Sequence, residues 1–135
     1  MVRQILAQDV KAKLDAGEPL HFLDVRQPQE HALCRIAGSQ LIPLGELQHR
    51  TNEIEPPAGA MIVVYCHHGV RSLSAANVLQ QSGFTNVVSI AGGIEAWSLQ
   101  VDATVPRYNY YLIPCIHFLR IGESTRSTTP DPMAK

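Results

Sequence analysis

A chain of 135 residues, 45% of them hydrophobic, is long enough to bury one ordinary core. With 11 basic against 12 acidic side chains and a formal net charge of -1, it has neither the basic footprint of a nucleic-acid binder nor the acidic excess of a disordered chain. No apolar run approaches the roughly 18 residues of a membrane helix and the N-terminus lacks a charged-then-apolar signal pattern, so a cytoplasmic protein without membrane or nucleic-acid partners is expected.

In chain order, Ile5 to Leu14 is the end of a short strand running into a helix. Gln8 and Asp9 offer capping chemistry, Val10 and Leu14 share a face, and Gly17 is the stop. Pro19 to Val25 is a strand of near-continuous apolar character, hence buried. Asp24 and Arg26 at its end suggest an internal ion pair holding loops together rather than a catalytic pair. Pro28 to Leu33 forms a short helix with proline in the first turn, where its missing N–H is harmless, and Glu30 is placed to face the active loop described below. Gln40 to Ile42 is a brief strand, Pro43-Leu44 opens a short helix toward Arg50, and the polar Thr51 to Ala60 is a surface connection. Met61 to Tyr65 carries the strongest strand signal, and Asn86 to Ile90 is another strand. Gly92-Gly93 breaks it, and Ile94 to Trp97 starts a last helix. Strands alternating with helices argue for an α/β domain with a mainly parallel sheet, whose sites form at the carboxyl ends of strands. The domain is expected over residues 1–106. Residues 107–135 form a C-terminal extension, partly apolar through Tyr110, Tyr111 and Phe118, then a flexible Ser, Thr and Pro-rich end.

Everything is organised around Val63-Val64-Tyr65-Cys66-His67-His68-Gly69-Val70-Arg71-Ser72, a β-branched strand, a polar turn and a helix start. Such a turn leaves unpaired backbone N–H groups at a helix N-terminus, aimed into the loop mouth. Free cysteine titrates near pH ~8.5, and helix N-termini and neighbouring cations lower that value, so the position suits a reactive thiol. Gly69 permits a positive φ that lets amides converge, and Ser72 is the expected N-cap and a hydroxyl donor to the sulfur. His67 and His68 line the mouth; adjacent side chains point apart and no further ligand is suitably spaced, so no metal is expected. Cys34, Cys66 and Cys115 are odd in number and contain no C-x-x-C pair, which argues against a disulfide framework and a zinc site. Cys34 and Cys115 read as small core residues; Cys34 would serve as a resolving thiol only if it lay near Cys66.

These elements resemble single-domain rhodaneses, the thiosulfate sulfurtransferase-like proteins. The resemblance is carried by Leu23 to Glu30, by Arg35 to Ser39 with Ile42-Pro43-Leu44, by Val63 to Cys66 with Arg71-Ser72, and by Gly83-Phe84 and Ala91 to Trp97. The chain departs from the family pattern at Cys34 and Arg35, where a glycine and often a histidine precede the isoleucine. The resemblance implies a rhodanese-like three-layer α/β sandwich around a five-stranded, mainly parallel sheet. It implies Cys66 as the persulfide carrier and Cys66 to Arg71 as its loop. Four residues separate Cys66 from Arg71, the compact spacing of sulfurtransferases; the related phosphatases and arsenate reductases have one more. Partners would be small sulfur donors with thiol or cyanide acceptors, or a sulfur-accepting protein, with no cofactor. Arg71 either orients an anionic donor or braces the loop through a carboxylate such as Glu30. A persulfide carrier and a noncatalytic interaction module are the alternative functions.

Overall fold

The computed structural model describes residues 2–109. Cys115, Tyr110, Tyr111, Phe118 and the Ser, Thr and Pro-rich end lie outside them.

The elements alternate along the chain. They are β1 (Arg3–Ile5), α1 (Ala7–Asp15), β2 (Leu20–Asp24), α2 (Pro28–Leu33), β3 (Gln40–Leu41), α3 (Leu47–Arg50), β4 (Met61–Tyr65), α4 (Val70–Gln81), β5 (Val87–Ile90) and α5 (Gly93–Gln100). Short 3-10 turns at Leu44–Glu46 and Thr51–Glu53 flank α3, so the expected surface connection begins with ordered structure. The five strands form one sheet in the order β1-β5-β4-β2-β3, and every neighbouring pair is parallel. Parallel strands need a crossover between them, which is why each is separated from the next by helix or turn.

A parallel sheet must be covered on both faces, and the period-2 alternation of side chains divides the core accordingly. Phe22, Val63 and Val88 are register partners and pack with Ala7 and Val10 of α1 and Ile94 and Trp97 of α5. Leu23 and Val64, the adjacent row, pack with Leu47 of α3 and Ala75, Ala76 and Leu79 of α4. Each fully buried Val, Leu or Ile contributes about 1.5–3 kcal/mol relative to exposure, so these two layers carry most of the stability.

One local reading needs correction. The first turn of α1 has Leu6 as N-cap without a side-chain bond, so Gln8 and Asp9 lie inside the helix and do not cap it. Asp9 still complements the helix dipole there. Leu14, on the face it shares with Val10, sits at the exposed rim while Val10 is buried. Among the described residues, no helix is long and apolar enough to cross a membrane.

Candidate active site

β4 ends at Tyr65, and the chain turns at its carboxyl end into the N-terminus of α4. Gly69 makes that turn possible. At φ 102° it occupies the left-handed region and serves as N-cap, so the helix starts at Val70 and Ser72 is its third residue. The expectation that Ser72 caps the helix is therefore wrong, because the left-handed glycine brings the chain into helical geometry three residues earlier. The same geometry aims amides at the sulfur. Gly69 N–H and Ser72 N–H donate to Cys66 Sγ at 3.1 and 3.3 Å. Both donors stabilise an anion better than a neutral thiol, as does the positive end of the twelve-residue α4.

A hydroxyl network closes the buried side. Ser72 Oγ donates to Gly69 O at 3.2 Å, lies 2.7 Å from Ser89 Oγ, and accepts the Cys66 Sγ–H contact at 3.5 Å. With the thiol protonated, the sulfur is thus the donor to the hydroxyl, the reverse of the sequence expectation. Ser89 is buried on β5 beside Val64, and sequence reasoning missed it. Its signal was a polar side chain inside the apolar run Val87-Val88-Ser89-Ile90.

The other wall comes from α5. Ile94 N–H and Glu95 N–H donate to the carbonyls of Cys66 and His67 at 2.8 and 3.1 Å. This contact demands Gly93, whose φ is +61° and where an added Cβ would collide with both carbonyl oxygens. The Gly92-Gly93 pair, read from sequence as a strand breaker, is a site of backbone contact with the loop.

Arg71 is gripped by Glu30. Its Nη1 and Nη2 donate to Oε1 and Oε2 at 2.8 and 3.0 Å, a bidentate pair in which the carboxylate is wholly buried. Glu30 also accepts the Gln27 N–H at 3.0 Å and the Tyr108 hydroxyl at 2.7 Å. Burial alone would raise its pKa; the Arg71, Gln27 and Tyr108 donors outweigh it and hold the carboxyl below its usual range.

Asp24 and Arg26 lie wholly buried beside this brace, Nε and Nη2 of Arg26 donating to the two carboxylate oxygens at 2.8 and 2.7 Å. Arg26 Nη2 also bonds Cys34 O at 2.6 Å, while Asp24 Oδ2 meets His31 Nδ1 at 2.8 Å. Burial opposes the charge of Arg26, yet the Asp24 contacts win and raise its pKa. The turn at the unusual Cys34-Arg35 is held by this Arg26 bond and by the Ile36 N–H donating to Tyr65 Oη at 3.2 Å. Cys34 and Cys66 belong to different core clusters, and burial pushes the Cys34 thiol up, the reverse of what a resolving thiol requires.

His67 is buried and His68 and Val70 are exposed at the mouth. The His67 ring stacks on Tyr108 at 3.9 Å and 10°, and the His68 ring lies 3.9 Å from it on a 36° tilt, so the two adjacent side chains do not point apart as expected. Tyr108 was assigned from sequence to the extension, and nothing in its local pattern tied it to this loop. Among the described residues, no cluster of three His, Cys, Asp or Glu is placed to hold a metal ion.

Comparison with known proteins agrees with this fold. The rhodanese-like domain family matches residues 6–100. The chain is 35% identical over 97 residues to the putative sulfur carrier protein YrkF of Bacillus subtilis, covering 72% of this chain and 51% of that one. It is 34% identical over 104 residues to the probable adenylyltransferase/sulfurtransferase MoeZ of Mycobacterium tuberculosis, covering 77% of this chain and 26% of that one. The chain thus spans about half or less of these relatives. A solved rhodanese-related protein from Thermoplasma volcanium superposes with a TM-score of 0.64 at 35% identity, over 73% of this chain and 93% of the other. A family match across most of the folded chain, on a five-stranded parallel sheet with a cysteine cradled at the end of β4, places this protein in the rhodanese-like domain family.

Proposed function

We propose that the protein is a sulfurtransferase that moves a sulfane sulfur from thiosulfate or a persulfide to a thiophilic acceptor through a Cys66 persulfide. The observation that carries this reading is the pair of amides on Cys66 Sγ, from Gly69 and Ser72. In the first half-reaction the Cys66 thiolate attacks the outer sulfur of the donor. A new S–S bond forms, the donor's S–S bond breaks, and its electron pair leaves on sulfite or on a thiolate. In the second, cyanide, a thiol or a protein cysteine attacks the outer sulfur, and the electron pair of the breaking bond returns to Cys66. Each transfer is a two-electron displacement at sulfur, so no external oxidant or metal enters. The loop amides stabilise negative charge on Cys66 Sγ before attack and again when it leaves.

The bidentate hold of Glu30 supports a bracing role for Arg71, with His67, His68 and Val70 shaping the mouth that donor and acceptor enter. Asp24 and Arg26 support the brace from beneath. The proposed working domain is residues 1–106, in a cytoplasmic setting. A second reading, a persulfide carrier serving a partner protein, uses the same cysteine and is favoured by the likeness to the putative carrier YrkF. The intact Cys66 cradle counts against a noncatalytic interaction module.

The test is mass spectrometry of the purified protein after thiosulfate or glutathione persulfide. A gain of one sulfur on Cys66 that cyanide removes is expected, and Cys66→Ser is expected to lose it together with turnover. Full thiosulfate:cyanide activity in Cys66→Ser refutes the mechanism. Fast single loading with poor multiple turnover identifies the carrier.

A further inference from the structure

The family match ends at residue 100, yet the chain that follows returns to the active loop. After α5, the Val101 and Asp102 N–H groups donate to Trp97 O at 2.8 and 3.0 Å, which turns the chain back. Ser98 Oγ then donates to Val105 O at 2.7 Å, and Arg107 grips Glu95 Oε2 through Nη2 and Nε at 2.6 and 2.9 Å. The partners run from Ser98 back to Glu95 while the strap advances from Val105 to Arg107. It therefore travels antiparallel along α5, toward the helix end that bonds the Cys66 and His67 carbonyls.

We propose that Tyr108, carried by this strap from beyond the family's domain, is a positioning residue for the Cys66 site. The inference rests on reading Cys66 as the reactive sulfur. One side chain touches three groups that are otherwise separate. Its ring stacks on His67, within the loop; its hydroxyl donates to Glu30 Oε2 at 2.7 Å, the carboxylate that holds Arg71; and the same oxygen accepts from Arg26 Nη1 at 3.0 Å. Each contact answers a need. The other contact of Arg26 Nη1 is a long 3.8 Å approach to Cys34 Sγ, so the hydroxyl supplies the good acceptor for a buried guanidinium. Glu30 Oε2 would keep only the Arg71 Nη2 bond among its side-chain donors. His67 Nε2 is buried with no hydrogen-bond partner among the described residues, so contacts other than its own Nε2 must fix that ring, and stacking is one.

The two parts of the side chain have separable jobs. The ring steadies the loop backbone that presents Gly69 N–H to the sulfur, and the hydroxyl steadies the Glu30 and Arg71 pair at the mouth. Tyr108→Phe keeps the ring and deletes the hydroxyl, whereas Tyr108→Leu deletes both. Three readouts are compared in the full chain: the rate of Cys66 alkylation by iodoacetamide at pH 7, followed by peptide mass spectrometry; KM and kcat with the sulfur donor; and thermal unfolding. Tyr108→Leu is expected to slow Cys66 alkylation by about threefold or more, through loss of preorganised loop donors. Tyr108→Phe is expected to leave alkylation within about twofold while raising donor KM several-fold at little change in kcat. A folded Leu variant that alkylates Cys66 at the wild-type rate overturns the ring's role. A Phe variant with wild-type KM overturns the hydroxyl's role, and it decides the matter should the Leu variant fail to fold. If wild-type protein forms no persulfide, the sulfur-transfer reading fails separately, since the alkylation comparison needs no sulfur donor.

Discussion

His67 should make the protein acid-sensitive in a window that its replacement by phenylalanine removes. The ring is 5% exposed, lies between Tyr108 and His68, and has Nε2 buried without a partner among the described residues. Burial, reinforced by the neighbouring His68, lowers its pKa from 6.5 to about 4. Between those values the unfolded chain binds a proton that the folded chain refuses, so stability is complete above pH 6.5 and falls as pH drops toward 4. At 1.36 kcal/mol per unit the full penalty is about 3 kcal/mol, of which about 2.5 kcal/mol is reached at pH ~4.5. His67→Phe keeps a flat ring for the Tyr108 stack and cannot titrate. Urea unfolding at a series of pH values from 7.5 to 4.5 should therefore show the wild type losing about 2.5 kcal/mol more than the variant. The depressed carboxyl of Glu30 and the remaining histidines are common to both proteins and cancel in the difference. Parallel stability profiles would refute the argument, because they would mean that the folded state accepts the His67 proton as readily as the unfolded chain does.

Asp24→Asn strands the buried Arg26 guanidinium and should cost about 3–5 kcal/mol in urea unfolding, with most of it recovered when Arg26→Met is added; near-wild-type stability of the single variant would contradict the pairing. Gly93→Ala forces a Cβ onto the Cys66 and His67 carbonyls at a left-handed φ, so about 2–4 kcal/mol should be lost and Cys66 alkylation should change with it. An unchanged alkylation rate at full stability would mean that α5 does not set the loop. Ser89→Ala removes the partner 2.7 Å from Ser72 Oγ and should lower stability by about 1–2 kcal/mol, read from the urea midpoint. A gain in stability there would show that the hydroxyl pair is no net asset.

Much of the architecture was legible because it is written in local runs. Met61 to Tyr65 and the polar turn after it place a cysteine at a strand's carboxyl end with no tertiary information. Ser72 as N-cap sets the start of α4 three residues late, because serine is a common N-cap, whereas the actual cap is a glycine whose conformation only the turn reveals. Glu30 facing Arg71 could be anticipated from the resemblance, 41 residues apart in sequence though they are. Ser89 and Tyr108 could not. A serine inside an apolar strand marks a buried polar side chain without saying what it meets, and a tyrosine 78 residues from Glu30 meets it only because a strap doubles back along a helix.

The carbonyls of Cys66 and His67 are spoken for by the start of α5, and the loop amides of Gly69 and Ser72 by the sulfur. One set of bonds holds the main chain where the turn leaves the strand and the other where it enters the helix, so the cradle is cast in main chain from both ends. The side chains of residues 68 and 70 are thereby left out of the contacts that hold the sulfur. His68 is exposed and Val70 is 74% exposed, and neither contributes a side chain to the sulfur contacts. Positions 68 and 70 thus form a faceplate whose charge, size and polarity can change while the main-chain contacts to the sulfur beneath stay in place.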